Sequence, residues 1–157
     1  MLKKTGLLVW FFFLLSLPLY AQIFIPGLYH GQTLPLPIDP GSCKAMNLTQ
    51  TDLDCKEKAE SYIKQGKSDL AVESLRNISD SWTYHWFLSY MHEINFDFHN
   101  ALREIDWLIF HTNCRTLMLS LEDRKKNLEE AIRKINQWGK NHPTPLHPEE
   151  KPPTNYK

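Results

Sequence analysis

The middle of this 157-residue chain lacks proline entirely and contains a single glycine, Gly66. All ten prolines lie among the first 40 residues or the last 15. Proline and glycine are the residues that most often end a helix, so residues 47–138 carry almost no signal against helix formation. We predict that residues 47–138 form the folded part of the molecule and that this part is helical.

An excess of charge of either sign is also missing. The 18 lysine and arginine residues balance the 18 aspartate and glutamate residues. Binding to nucleic acid requires many exposed cations, so we exclude nucleic acid as a partner. The one basic cluster, Arg124 to Lys126, has acidic residues on both sides, and we interpret it as a solvated helix face.

Cysteine is scarce, with Cys43, Cys55 and Cys114 as the only three. An odd number leaves at least one unpaired, and the spacings match no zinc motif. A bridge from Cys43 to Cys55 would tie the N-terminal arm to the first helix, whereas one from Cys55 to Cys114 would clamp distant parts of the core. The sequence does not choose among the pairings or exclude three free thiols. Asn47 and Asn77 fit the N-glycosylation pattern, which matters only in a host that glycosylates.

The one long apolar run lies at the N terminus. Residues 1–21 combine Lys3 and Lys4 with an apolar stretch and the small residue Ala21, the pattern of a cleaved signal peptide. The run is short for a span of about 20 residues, and Pro18 interrupts it. We therefore expect cleavage near Ala21 and export to the periplasm or the medium, with an N-terminal membrane anchor as the alternative. Cleavage removes two of the 18 basic residues and none of the 18 acidic ones, which gives a net charge of −2.

Two proline-rich segments flank the central region. Residues 22–46 hold four prolines, which favours an extended arm over a helix. Residues 139–157 hold five prolines and almost no apolar side chains, which is typical of a disordered tail.

Apolar periodicity and capping residues predict five helical segments in the central region. Thr49 or Thr51 caps the first segment, which ends at Gly66, and Ser68 or Asp69 starts the second. The other three cover residues 82–94, 101–111 and 114–138. The last segment places an apolar seam at alternating steps of four and three, with one charged interruption: Leu117, Leu121, Arg124, Leu128, Ala131, Ile135 and Trp138. Its pattern leaves open whether it is one helix or a hairpin.

Small residues recur where two antiparallel helices would meet. Ala59 and Ala71 are twelve residues apart, and Ser89 and Ala101 repeat that spacing. Small side chains let two helices approach closely, and Gly66 supplies the backbone angle of a tight turn between them. The sequence therefore predicts a helical hairpin that recurs after thirty residues.

This pattern resembles the tetratricopeptide-repeat family, whose unit is a pair of helices. In AESYIKQGKSDLAVESL the residues at that family's small, aromatic, glycine, alanine and large apolar positions are Ala59, Tyr62, Gly66, Ala71 and Leu75. In the second unit Leu88, Ser89, Ala101 and Ile105 match, while His92 replaces the tyrosine and Phe96 replaces the glycine. The resemblance covers about residues 52–110. We predict an all-α fold of antiparallel helical hairpins, stacked as a short tetratricopeptide-like array and ending in a long C-terminal helix.

Three histidines at intervals of seven raise an alternative function, metal binding: His85, His92 and His99. Seven residues of helix rise about 10 Å, which is too far for one ion to bridge, and the turn near Phe96 separates His99 from the others. The sequence from His92 to Phe96 begins like a zinc-protease motif but lacks its second histidine.

Catalytic motifs are missing as well. No glycine-rich phosphate loop and no Gly-x-Ser-x-Gly sequence occurs. His111 and Cys114 could contact each other on a helix, but no oxyanion site or orienting partner accompanies them. We therefore expect a protein that is not an enzyme and takes no cofactor.

The strongest functional signal is a concentration of rings: nine Trp, Tyr and Phe residues lie between residues 82 and 110. A short array has a thin core that cannot bury all nine, so we expect some to line a binding surface, because Trp and Tyr are common interface anchors. The resemblance implies a concave face that holds a peptide or helix. The candidate residues on that face are Lys58, Tyr62, Trp86, Tyr90 and His92.

We therefore predict an exported, non-catalytic interaction module that binds a peptide, an envelope or secreted protein, or a second copy of itself. A small metal-binding protein or enzyme that uses His85, His92 and His99 is the alternative. A third hypothesis makes the proline-rich arms the ligands, which the core merely displays.

Overall fold

A computed structural model describes residues 28–29 and 31–141, and in this part of the chain the fold is all-α. The helices are α1 Gln50–Lys64, α2 Ser68–Leu75, α3 Ser81–Ile94, α4 Phe98–Phe110 and α5 Arg115–Asn141. Between residue 31 and α1 the only β-type pairing is an isolated bridge from Ile38 to Ala45. The predicted all-α class is confirmed. The predicted signal peptide and nearly all of the predicted tail lie outside the described residues.

Polar caps fix where three of the helices begin. The Thr49 hydroxyl accepts a hydrogen bond from the Asp52 backbone N–H at 3.2 Å and so caps α1. Asp80 and Asp97 cap α3 and α4 in the same way. Such side chains satisfy N–H groups that have no partner inside the first helical turn.

Two turns of the same construction lie thirty residues apart. Gly66 has a φ of 70° after α1, and Phe96 has a φ of 58° after α3, so both adopt the left-handed conformation. In each turn a backbone N–H reaches back five residues to a carbonyl, Lys67 to Tyr62 and Asp97 to His92, both at 2.9 Å. This bond pattern ends a helix tightly and turns the chain back. The phenylalanine therefore adopts the conformation for which the first turn uses glycine.

Helices that follow one another along the chain pack side by side. The small residues at the predicted crossing positions are completely buried: Ala59, Ala71, Ser89 and Ala101. With no bulk beyond Cβ or Oγ, they let neighbouring helix backbones approach closely. The paired, sequentially packed helices are the arrangement that the spacing of twelve and thirty residues predicts.

Helix α5 is a single helix of 27 residues, which settles the choice between one helix and a hairpin. At 1.5 Å per residue it is about 40 Å long, twice the length of α4. The seam residues Leu117, Leu121, Leu128 and Ala131 are buried as their spacing predicts.

Two positions depart from the usual burial of apolar side chains and exposure of charged ones. Leu70 of α2 is 47 % exposed, while Ala71 and Leu75 take the buried side. Asp52 is only 3 % exposed, although it is charged. It is buried because its carboxylate accepts hydrogen bonds from the Thr49 hydroxyl and the Ser79 backbone N–H, and so joins the start of α1 to the turn before α3.

The N-terminal arm, here residues 28–29 and 31–46, runs across the helices without helical structure of its own. A disulfide between Cys43 and Cys114 ties the arm to the start of α5, with a Cα–Cα distance of 5.4 Å. Cys55 is free and buried in α1. None of the described helices has the length and apolar character needed to cross a membrane.

Candidate functional site

The arm lies over the ring-bearing side of α3. The indole N–H of Trp82 donates to the carbonyl of Ile38, and that of Trp86 donates to the carbonyl of Pro35, both at 2.8 Å. The two tryptophans are one helical turn apart, and the two carbonyls are three residues apart. We call this surface the aromatic groove and define it by five residues that contact the arm, together with Arg124, which pairs with one of them, Glu93. The five are Glu60, Trp82, Trp86, Tyr90 and Glu93.

Two side chains of the arm, three positions apart, are buried. Leu34 is 2 % exposed and Pro37 is fully buried, whereas Leu36 between them is 52 % exposed. Three residues make one turn of the polyproline II conformation, which proline favours. The backbone N–H of Leu34 also donates to Glu60 of α1 at 2.6 Å. The arm is therefore held through both its main chain and its inward side chains.

A buried ion pair forms the polar end of the groove. Glu93 of α3 is 3 % exposed and accepts hydrogen bonds from the Arg124 guanidinium of α5 and from the backbone N–H of Tyr29 at 2.9 Å. The guanidinium carbon lies 3.8 Å from the centre of the Tyr90 ring. The same guanidinium nitrogen, Nη2, also donates to the Ser89 hydroxyl at 3.3 Å. Arginine suits this position because its planar group can bind a carboxylate and cover a ring together.

The interpretation of Arg124 as part of a solvated face is wrong. Its side chain is only 15 % exposed, because it lies on the apolar seam of α5 and finds the buried carboxylate of Glu93 opposite. One of its nitrogens, Nη1, is buried and has no hydrogen-bond partner among the described residues. Lys125 fits the solvated interpretation better, since it pairs with exposed Asp106 at 2.7 Å.

A clamp holds the other end of the arm. The carbonyl of Pro40 accepts the backbone N–H groups of Asn113 at 2.9 Å and Cys114 at 2.8 Å, and the Thr112 hydroxyl at 3.1 Å. The disulfide of Cys43 lies three residues further along. The arm is therefore fixed covalently and by hydrogen bonds to the turn between α4 and α5.

The structure brings together two of the five predicted binding residues. Trp86 is 4 % exposed and Tyr90 is 8 % exposed, and both lie beneath the arm. The Tyr90 ring meets the ring of Tyr29 edge-on at 4.9 Å between centroids. Burial raises the pKa of the Tyr90 hydroxyl. These two rings are held by the chain's own arm.

The other three predicted binding residues lie elsewhere. Lys58 is exposed on α1, about 160° around the helix axis from Glu60. Tyr62 is half-buried and packs against the core. His92 points about 120° away from Trp86 around α3, and its Nδ1 lies 3.3 Å from a carboxylate oxygen of Asp97. A role for these three in partner binding stays a prediction.

The three histidines spaced by seven have separate surroundings. His85 contacts Glu104 at 2.5 Å and stacks on Trp107 with 3.9 Å between ring centroids. His92 contacts Asp97, and His99 is exposed on α4. Within the described part of the chain, no group of three or more His, Cys, Asp or Glu residues is placed to hold a metal ion.

The notional pair of His111 and Cys114 has no free thiol, because Cys114 is in the disulfide. The His111 ring instead stacks on Trp107 at 3.8 Å. The only free thiol, Cys55, is buried, and burial raises its pKa and so disfavours the reactive thiolate.

The nine clustered rings divide between the core and the surface. Five are buried: Trp82, Trp86, Phe87, Tyr90 and Phe98. Tyr84 and Trp107 are half-buried, while Phe96 is 51 % exposed and Phe110 is 84 % exposed. Most of the rings on the inner side of α3 are covered by the arm rather than left open.

Sequence reasoning missed Glu60, Trp82 and Glu93, and it missed that the arm is their ligand. One signal was present, because an arginine on an apolar seam needs a buried acid, and Glu93 is the acid within the ring-rich helix. Comparison of the chain with protein-family models, curated proteins and solved structures gives no match.

Proposed function

We propose that this chain is an exported, non-catalytic interaction module, and that its aromatic groove binds an extended segment of an envelope or secreted protein. The observation that supports the proposal is the arm itself: the groove binds an extended, proline-containing segment through two indole N–H groups and two buried side chains. A surface that holds one such segment has the donors and the shape for another.

Main-chain recognition supports a peptide as the ligand. Trp82 and Trp86 donate to backbone carbonyls, which every peptide offers. The groove therefore contacts the backbone of any extended peptide and selects among peptides by their side chains. Proline-rich segments lose little conformational entropy on binding, because they are already extended when free. The repeated turns at Gly66 and Phe96 agree with a tetratricopeptide-like array, a class that binds segments on its inner face.

The arm also affects how a partner would bind. A tethered segment has an effective concentration in the millimolar range, so a segment of another protein must displace it or bind beside it. Leu36 is an exposed residue of the arm between its two buried positions, so a partner that reaches the groove passes close to it.

Site-specific photo-crosslinking in the exporting cell tests the proposal. A photoreactive amino acid replaces Leu36, and in a second strain it replaces Arg133. Arg133 is exposed on α5 and lies about 180° around that helix from Arg124, on the side away from the groove. We expect a discrete crosslinked protein from position 36 and none from position 133. The same products from both positions, or none from position 36, would contradict the proposal.

A further inference from the structure

The aromatic groove holds the arm in one register, and that register indicates which residue types a bound segment needs at two positions. Resting on the proposed function, we infer that the partner segment carries an apolar residue other than proline, followed three positions later by proline, in extended backbone. The arm presents these features at Leu34 and Pro37.

The first position requires an N–H group and an apolar side chain. The backbone N–H of Leu34 donates to Glu60 at 2.6 Å, and Lys56 holds the same carboxylate oxygen at 2.5 Å. A proline there would have no N–H to offer and would leave the half-buried Glu60 without that donor. The side chain of Leu34 is 2 % exposed, so a polar residue in its place would be desolvated.

The second position favours proline because proline has no backbone N–H. Pro37 is fully buried, and proline carries no N–H to leave unpaired in that place. Its carbonyl is used, since it accepts the backbone N–H of Met46 at 2.9 Å within the arm. Proline also holds the backbone extended before binding, which preserves the three-residue spacing of the carbonyls at Pro35 and Ile38.

The C-terminal segment of the chain provides a natural contrast. Residues 142–153 are rich in proline. The residue three positions before each of these prolines is charged, a histidine or another proline. This segment therefore has the composition of a proline-rich ligand, but it lacks an apolar residue other than proline three positions before a proline. A peptide of residues 142–153 is the matched control for a peptide of residues 32–40.

The experiment measures binding of fluorescent peptides to the full chain. The arm of the protein is weakened by Leu34→Ala with Pro37→Ala, which leaves every residue of the groove unchanged. The peptides are residues 32–40, the same peptide with Pro37→Ala, the same peptide with Leu34→Pro, and residues 142–153. Titrations by fluorescence anisotropy give the dissociation constants, and circular dichroism confirms that the protein is helical.

We expect saturable binding of the unchanged peptide 32–40, and at least about tenfold weaker binding of both substituted peptides, because each loses a contact or buries an unpaired group. Residues 142–153 should not saturate. The protein with its natural arm should bind peptide 32–40 at least about tenfold more weakly than the weakened variant, since its own arm competes.

Two failures have different meanings. If all proline-containing peptides bind equally well, the inferred selectivity is wrong while peptide binding in the groove stands. If peptide 32–40 fails to bind a helical protein with a weakened arm, the proposed function fails together with the inference. Should the weakened variant not fold, the same titrations use Cys43→Ser with Cys114→Ser, which removes the covalent tether and keeps the arm and groove residues.

Discussion

At the scale of single residues, Arg124 shows how one charge can be accommodated on an apolar seam. Its partner Glu93 is almost completely buried and accepts from both Arg124 and the arm. The change Arg124→Ala leaves that carboxylate without its cation, so we expect the free energy of unfolding to fall by about 3–5 kcal/mol. Urea denaturation followed by circular dichroism measures the loss.

The control for this change is Arg133→Ala on the same helix. Arg133 pairs with Glu130, but its side chain is 57 % exposed, so we expect a loss of no more than about 1 kcal/mol. Equal, small losses for both variants would mean that the pair of Arg124 and Glu93 is not buried in solution.

The ionisation of the Tyr90 hydroxyl allows a second test at the scale of single residues, through the pH dependence of stability. Burial raises the pKa of its hydroxyl above the ordinary value, so the folded state holds the proton more tightly than the unfolded state. Stability is then unaffected below about pH 10 and falls as the pH rises through the folded pKa. Tyr90→Phe removes this proton.

We therefore expect the wild-type protein to lose more stability than Tyr90→Phe between about pH 8 and about pH 11, measured by urea midpoints. Parallel curves for the two proteins would mean that Tyr90 is open to solvent rather than covered by the arm.

At the scale of elements, the structural repeat is seen in the two similar turns at Gly66 and Phe96. Gly66 has a φ of 70°, and a Cβ placed there would meet nothing within 4 Å, so only backbone strain opposes a side chain. Gly66→Ala should lower the free energy of unfolding by about 1–2 kcal/mol, measured by urea denaturation. Gly41→Ala is the control, because its Cβ would meet only Asp39 Oδ1 at an ordinary 3.5 Å and its φ is not left-handed. A larger loss at Gly41 than at Gly66 would contradict this account.

The helices could be predicted from sequence because their signals are local. The caps at Thr49 and Asp80 and the turn at Gly66 depend on residues no more than a few positions apart. The exposure of Leu70 could not be predicted in this way. It depends on which side of the short helix α2 faces its neighbours. The apolar residues Leu70, Ala71, Val72 and Leu75 spread over about 200° around the helix axis, which is too broad to fix that side.

At the scale of the whole molecule, the disulfide closes a loop between residues 71 positions apart. In the chain-entropy account a bridge of this span contributes about 4 kcal/mol by restricting the unfolded chain. We expect Cys43→Ser with Cys114→Ser to be less stable by that amount in guanidinium chloride. A thiol reductant should destabilise the wild-type protein similarly and leave the double variant unchanged; a wild-type protein indifferent to the reductant would contradict the bridge.

The site was harder to predict than the fold because it is assembled over long distances. Trp86 and Tyr90 were named from their ring content, but their ligand at Pro35 lies 51 residues from Trp86. Neither the pairing of Cys43 with Cys114 nor the path of the arm leaves a periodic pattern in the sequence. Both depend on how the helices are arranged once packed, which local spacing does not contain.

The central claim is that the arm occupies the aromatic groove, and the exchange of the indole N–H protons of Trp82 and Trp86 tests it most directly. Both protons are hydrogen-bonded to arm carbonyls, so nuclear magnetic resonance in heavy water should show each exchanging at least about a hundredfold more slowly than free indole. Exchange of both protons at the rate of free indole, in a protein whose helical amides remain protected, would contradict the account.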